Sequence, residues 1–186
     1  MFYYPSNLYK EYDIIQKEHT TTNIQLGNSA DPSNNHIDVL SKLIKYKDEN
    51  IKIFTPLSYG DQVYAQDVIK KGKELFGDKF VALTEFMPFE KYLEFLGQID
   101  IAIFAHKRQQ AMGNTITLLG LGKKVYMRSD ITPWQLFDSL DVKVYDVANI
   151  EIDLMEEKIK KENQQKITEY FSKENYLKQL QELFSA

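Results

Sequence analysis

Two clusters of side chains in the 186-residue sequence have the composition of a ligand site. The first is Leu26-Gly27-Asn28-Ser29-Ala30-Asp31-Pro32-Ser33-Asn34-Asn35-His36, a dense run of small and amide side chains directly after an apolar stretch. Gly27 permits a positive φ or a close approach, and Asn28 and Ser29 carry groups that hydrogen-bond a ligand. The same residues suit a turn followed by a helix N-cap at Ser33 or Asn34, and the two readings are compatible. The second cluster runs from Phe104-Ala105-His106-Lys107 through Arg108, Gln109, Gln110, Ala111 and Met112 to Gly113, Asn114 and Thr115. A guanidinium, two amides and a glycine at a helix N-terminus suit a diphosphate, whose charge meets both the cation and the unpaired amides. The alternative for Lys107-Arg108 is an ordinary solvated loop. A helix end contributes ~0.3–2 kcal/mol and a charge-assisted hydrogen bond ~1.5–3, short of the ~8 kcal/mol of micromolar binding. Contacts to a base, ribose or sugar must supply the rest. The neighbouring segments Pro56-Leu57-Ser58-Tyr59-Gly60 and Thr84-Glu85-Phe86-Met87-Pro88 place Tyr59 and Glu85 within range of that task.

Other chemistries fail on inspection. The one G-x-G, Gly120-Leu121-Gly122, follows a helical pattern and precedes a strand, so it reads as a helix C-cap rather than a dinucleotide fingerprint. No phosphate-binding G-x-x-x-x-G-K-[ST] occurs. His19, His36 and His106 lack metal-ligand spacing and read as surface or packing residues, while Glu151-Ile152-Asp153 reads as a helix start. Gly27-Asn28 and Thr84-Glu85 stand where a receiver domain would need carboxylates. Trp134 is explained by core packing at least as well as by ligand stacking. With zero cysteines, thiol catalysis and cysteine-held metals are excluded. The economical reading is a site without metal.

The elements that must position these clusters alternate between short apolar runs and helical patterns, the signature of an α/β fold. Strands are expected at Asn23–Leu26, Ile51–Thr55, Phe80–Leu83, Ile101–Phe104, Lys124–Met127 and Val142–Tyr145. Helices are expected at 34–47, with Ile37, Leu40, Leu43 and Ile44 on one face, and at 61–76, with Val63, Val68, Ile69 and Leu75. Further helices are expected at 88–97, 109–121 and 133–140, opening on Pro88 and Pro133 in the first and last cases. The charged stretch 154–184 reads as one or two solvated helices laid on the sheet. This spacing predicts a Rossmann-like parallel β-sheet with helices on both faces, whose ligands sit outside the carboxyl ends of the strands. The expected organisation is a linker-like segment at 1–22, a nucleotide-binding domain over 23–150, and C-terminal helices over 151–186 packed on the same domain.

Hydrophobic residues make up 43% of the chain and charged ones 27%, the balance of a folded domain that needs no staple. A net charge of -4 gives no support to nucleic-acid binding by phosphate neutralisation. No apolar run approaches the ~20 residues of a membrane helix, and the N-terminal MFYYPSNLYKEYDII lacks a signal-peptide core.

Taken in order, Leu26 to Asn34, Leu83-Thr84-Glu85 with Tyr92-Leu93, Arg108 to Gly113, and Pro133-Trp134-Gln135 resemble glycosyltransferase family 56. This is the 4-α-L-fucosyltransferase family, which includes the TDP-N-acetylfucosamine transferase of enterobacterial common antigen synthesis. The ending, Tyr170-Phe171-Ser172 then Asn175-Tyr176-Leu177, is similar as well, and Phe2–Tyr9 resembles the linker entering the second domain. The resemblance covers nearly the whole chain but only the C-terminal half of the family. It implies the donor domain of a two-domain GT-B enzyme, with a dTDP-sugar donor and a lipid-linked saccharide as acceptor. Metal and cofactor would not be needed. It also implies an N-terminal acceptor domain outside this chain, in cis or in trans, and a place in the cytoplasm, peripheral to the inner face of the membrane. Gly27, Asn28 and Ser29 would face phosphates or sugar, and Arg108, Gln109 and Gln110 the diphosphate and donor. Tyr59 and Glu85 are placed near the nucleotide by loop position only. Ala111 stands where the family carries glycine and Asn114 where it carries threonine, which leaves the donor sugar open. No general base can be named. A stand-alone nucleotide-binding, regulatory or partner-assembly module without turnover is the competing reading, and weak self-association through an uncovered face is a further expectation.

Overall fold

In the computed structural model, which describes residues 8–10, 14 and 19–185, six parallel strands form one sheet in the order β3-β2-β1-β4-β5-β6. They are β1 Thr22–Leu26, β2 Ile51–Pro56, β3 Phe80–Leu83, β4 Ile101–Phe104, β5 Lys124–Met127 and β6 Tyr145–Asp146. The helices are α1 His36–Leu43, α2 Gln62–Phe76, α3 Phe89–Gly97, α4 Met112–Gly120, α5 Thr132–Ser139, α6 Glu157–Tyr170 and α7 Lys173–Phe184. Most of the expected linker segment, including Phe2–Asn7, lies outside the described residues.

The pleat sorts apolar side chains to two faces. Ile24, Leu26, Ile101 and Ile103 join Val39, Leu40 and Leu43 of α1 and Ala65 and Val68 of α2 in one core. On the opposite face Ala102, Phe104, Val125 and Met127 pack against α4, α5 and the Ile167 and Phe171 side chains. Helices therefore cover both faces, as expected. The strand order reverses between β1 and β4, so the loops leaving those two strands diverge and open a crevice at their carboxyl ends.

Several expected boundaries shift for identifiable reasons. Helix α1 starts at His36, because its cap is neither Ser33 nor Asn34 but Asn35, held left-handed at φ 53. Its buried stripe is His36, Val39, Leu40 and Leu43, while Ile37 and Ile44 are exposed. In α2, Val63 likewise faces solvent, and Ala65, Val68, Gly72 and Phe76 make the buried face. Pro88 is the N-cap of α3 rather than part of its first turn. Helix α4 cannot begin at residue 109, since Ala111 is left-handed at φ 56. The G-x-G does end α4: Gly122 at φ 74 donates to Leu119 O and Lys123 N–H to Leu118 O, a Schellman motif.

The last strand is only Tyr145–Asp146, not Val142–Tyr145. Val142 N–H caps α5 through Phe137 O, and both main-chain groups of Lys143 bond the Asn163 carboxamide at 2.8 Å, so neither residue pairs with β5. Glu151-Ile152-Asp153 is no helix start. The Glu151 and Asp153 carbonyls accept from the Lys124 ammonium at 3.2 and 2.8 Å, and the Tyr126 hydroxyl bonds both main-chain groups of Glu151. Of the C-terminal helices, α6 is laid on α4 rather than on the bare sheet: its Gln164 donates to Gly120 O at 3.2 Å.

Phe171 is fully buried beside Phe137, with ring centroids 6.4 Å apart. Phe171→Ala is expected to cost about 3–5 kcal/mol, through lost burial and the cavity it leaves. Urea unfolding would show it as a lower midpoint of a single transition; a separate early transition confined to the C-terminal helices would contradict a shared core.

Candidate functional site

The loop after β1 returns on itself around one side chain. Asn34 is fully buried, and its Oδ1 accepts from Asn28 N–H at 3.0 Å and from His106 Nε2 at 2.7 Å. Its Nδ2 donates to Asp31 O at 3.0 Å and to Ser29 Oγ at 3.4 Å. These bonds fix which end of the amide is oxygen, so His106 Nε2 must carry a hydrogen. That hydrogen is shared with Asn28 Oδ1 at 3.1 Å, and Asn28 Nδ2 in turn donates to the Tyr59 hydroxyl at 3.1 Å. Asn35 adds a second tie to the loop after β4, donating to Ala105 O at 2.7 Å.

The loop after β2 is joined to the same body through its backbone. Ala30 N–H donates to Tyr59 O, and Asp61 N–H to Ala30 O. Gly60, at φ 111, makes this possible: a Cβ there would sit 2.7 Å from the Ala30 carbonyl carbon. Gly27 serves packing in the same way. At φ 67, a side chain on it would overlap the His36 imidazole and lie 2.7 Å from Asn34 Oδ1.

Beside this polar body lies a cleft of about 280 Å³ between the loops after β2 and β3 and the start of α4. Of the sequence-predicted residues, Asn28, Tyr59, Glu85 and Asn114 line it together. Leu83, Phe86, Met87, Phe89 and the half-buried Tyr92 give it apolar and aromatic walls. Burial pushes the Tyr92 phenol up to about 12, so it is a neutral hydrogen-bonding group.

The remaining predicted residues fall elsewhere. Ser29 is buried with its hydroxyl turned to Asn34, and the buried Thr115 hydroxyl donates back to Ala111 O at 3.0 Å. Gln109 and Gln110 precede α4, as Arg108 does, instead of forming its first turn. Arg108 is exposed and pairs at 3.4 Å with Asp31, whose carboxyl is held below its usual range first by its bonds to Ser33 and then by Arg108. Gln110 Oε1 accepts from Ser33 Oγ at 2.9 Å. Helix α4 has alanine at its N-cap and no side-chain cap, which leaves its first amides available, and a Cβ on Gly113 would meet only open space. Among the described residues no group of three or more His, Asp or Glu could hold a metal, and no helix is long and apolar enough to cross a membrane. Trp134 packs against the core under α4 and α5, away from the cleft.

The family profile described as 4-alpha-L-fucosyltransferase, glycosyl transferase group 56, matches residues 1–186. The chain belongs to this family. Solved glycosyltransferases share its fold. One from Rickettsia africae, 15% identical, superposes with a TM-score of 0.70 over 90% of this chain and 48% of its own. TarM, 16% identical, gives 0.67 over 96% of this chain and 38% of its own. The C-terminal domain of a group 1 glycosyltransferase (LpcC) from Francisella tularensis, 10% identical, gives 0.59, covering 82% of this chain and 87% of that domain. The fold is thus that of a GT-B glycosyltransferase domain, and this family 56 chain spans less than half of the two longer structures.

Sequence reading missed the residues that organise this site. His36 and His106, which read as surface or packing residues, are buried, and His106 also links two loops. Tyr92 read only as one position of an amphipathic helix and of a family block.

Asn34→Ala would strip the acceptor from the Asn28 amide, at a cost of about 1–3 kcal/mol for that orphaned donor, and leave His106 Nε2 with Asn28 Oδ1 alone. Denaturant unfolding measures it; a change under 0.5 kcal/mol would show that the loops do not depend on this side chain. Burial also pushes both His36 and His106 down to about 4 from the ordinary 6.5. The unfolded chain then binds more protons between those values, so stability is full above about pH 6.5 and falls toward pH 4, each histidine adding up to ~1.4 kcal/mol per pH unit. Histidine NMR titration together with unfolding at several pH values checks both halves of that expectation.

Proposed function

We propose that this family 56 chain is the nucleotide-sugar donor domain of a glycosyltransferase. In this reading it handles a dTDP-linked amino-dideoxyhexose of the N-acetylfucosamine type, destined for a lipid-linked saccharide of the cell envelope. The observation that carries the reading is the crevice where the strand order reverses. It combines a rigid polar wall at Asn28, an uncapped helix N-terminus at α4 and an aromatic cleft beside them.

The chemistry follows from that arrangement. An acceptor hydroxyl attacks the anomeric carbon, the bond from that carbon to the diphosphate oxygen breaks, and the diphosphate departs with the bonding electrons. The amides of α4 and the Arg108 guanidinium are the protein's own groups for that growing charge, so the reading calls for no metal. Arg108 is held in the meantime by Asp31 at 3.4 Å, a long and exposed pair that a diphosphate can outcompete. The cleft then takes the nucleoside end, with Tyr59 and Glu85 on its rim. The acceptor and the group that removes its proton belong to a second, acceptor-binding half in this polypeptide or in another, at the inner face of the cytoplasmic membrane.

Calorimetric titration with dTDP, with UDP, GDP and NAD as controls, tests the reading. Saturable binding that prefers dTDP is expected, and Arg108→Ala should weaken it about two- to fivefold, the scale of an exposed ion pair, without moving the unfolding midpoint. Failure of every nucleotide to bind would instead favour a module without turnover.

A further inference from the structure

The hydrogen bonds around Asn34 can run in one direction only, and that direction reaches the cleft. Asn28 N–H is a donor and nothing else, so the end of the Asn34 carboxamide that meets it at 3.0 Å is oxygen. Asp31 O is an acceptor and nothing else, so the end that meets it at 3.0 Å is nitrogen. His106 Nε2, 2.7 Å from the Asn34 oxygen, therefore carries its hydrogen and presents it to the Asn28 side chain at 3.1 Å as well. Of the Asn28 carboxamide, the oxygen alone can take that place. Its Nδ2 is left to face the Tyr59 hydroxyl at 3.1 Å and must donate to it.

A phenol oxygen that accepts from Asn28 turns its own hydrogen away from Asn28. Neither that hydrogen nor the second one on Asn28 Nδ2 has an acceptor among the described residues, and both side chains line the cleft. Tyr59 is also held from its main chain, its carbonyl accepting from Ala30 N–H at 2.8 Å. The cleft wall at this point thus presents two hydrogens whose direction is set by buried groups. A pyrimidine edge or a sugar hydroxyl brings donors of its own. A phosphoryl oxygen brings only lone pairs and negative charge, which suits a pair of donors best.

We propose that Tyr59 and Asn28 are a donor pair for a phosphoryl oxygen of the nucleotide, and that His106 is a positioning residue which sets the direction of that pair from inside the core. Tyr59 Oη and Asn28 Nδ2 donate to the anion on the same cleft that Asn114, in the first turn of α4, also lines. Without the His106 Nε2 hydrogen the Asn28 carboxamide is free to turn over. Its oxygen then accepts from Tyr59, and the hydroxyl hydrogen is lost to the ligand. Tyr59 thereby belongs to the anion-binding half of the site and not to the half that takes the base. The source of the phosphate rests on the donor-domain reading above, and the proposal adds to it the groups that meet the charge besides Arg108 and α4.

Calorimetry on the full chain with dTDP and with inorganic diphosphate tests this. Tyr59→Phe removes only the hydroxyl of an exposed side chain and is expected to weaken both ligands about three- to tenfold, the scale of one hydrogen bond. His106→Leu, which takes away the Nε2 hydrogen, should weaken both to a similar degree. Adding Tyr59→Phe to it should cost nothing more, because the hydroxyl has already turned. Losses that multiply in the double variant overturn the role of His106. An unchanged dTDP affinity in Tyr59→Phe, or a loss for dTDP with none for inorganic diphosphate, overturns the donor pair and leaves the donor-domain reading standing. So does a failure of millimolar inorganic diphosphate to displace dTDP from wild type. Should His106→Leu not fold, Asn28→Asp replaces it: its carboxylate takes the Tyr59 hydrogen and repels the anion, so both ligands should weaken more than tenfold, and retained affinity overturns the proposal. If wild type binds inorganic diphosphate in a Tyr59-dependent way but no nucleotide, the donor-domain reading falls alone. If it binds neither, both fall.

Discussion

The site depends on one buried carboxamide. Asn34 has four hydrogen bonds and no exposed surface, and its partners belong to both loops that diverge at the reversal of strand order. Loops at such a point have no strand neighbour to register them, so something other than the sheet must hold them. Here the Asn34 amide does so, and its effect spreads. It orients His106, His106 orients Asn28, and Asn28 reaches Tyr59 in the loop after β2. Because every member of the chain is a neutral donor or acceptor, burial of the imidazoles suits the network and a charged histidine would disrupt it.

A division of labour follows from where water is excluded. The inward groups, Ser29, Asn34, His106 and Thr115, are satisfied within the protein and hold shape. The outward groups, Arg108, Gln109, Glu85 and Phe86, are exposed. Between them lie Asn28, Asn114 and Tyr92, placed by the rigid part and open to the cleft. Positioning by buried neighbours is what lets a few polar groups select a ligand, since little ordering remains to be done on binding.

How much of this was legible in the sequence depended on the range of the forces involved. Five of the six strands stand within a residue of their expected positions, because β-branched runs bounded by turns are a local signal. Val142–Val144 carries the same signal and fails, because Asn163, twenty residues away, takes the main-chain groups of Lys143. Glu151–Asp153 fails for a similar reason, its carbonyls being claimed by Lys124. At the candidate site, composition singled out loops that converge: Asn28, Tyr59, Glu85 and Asn114 line one cleft. It could not tell which small polar residues turn inward. Gly27, Ser29 and Thr115 resemble ligand groups in type and turn inward, whereas Tyr92, inside a helix, carries no local mark of its place in the cleft wall.

The position of Arg108 sets a physical condition on any transfer chemistry here. Its side chain is 66% exposed, and a guanidinium in water stabilises a departing diphosphate weakly because solvent screens the pair. The amides of α4 share that condition, lying beside Gly113, in front of which there is open space. Both gain strength only when the crevice is covered and its dielectric falls. Covering requires a second surface over the carboxyl ends of the strands, where Tyr59, Phe86 and Phe89 already present exposed aromatic rings. In the proposed reaction, therefore, nucleotide binding and bond breaking are separable: the cleft can hold the nucleoside in the open domain, while the charge on the leaving group is met in full only once the face over Arg108 and α4 is closed.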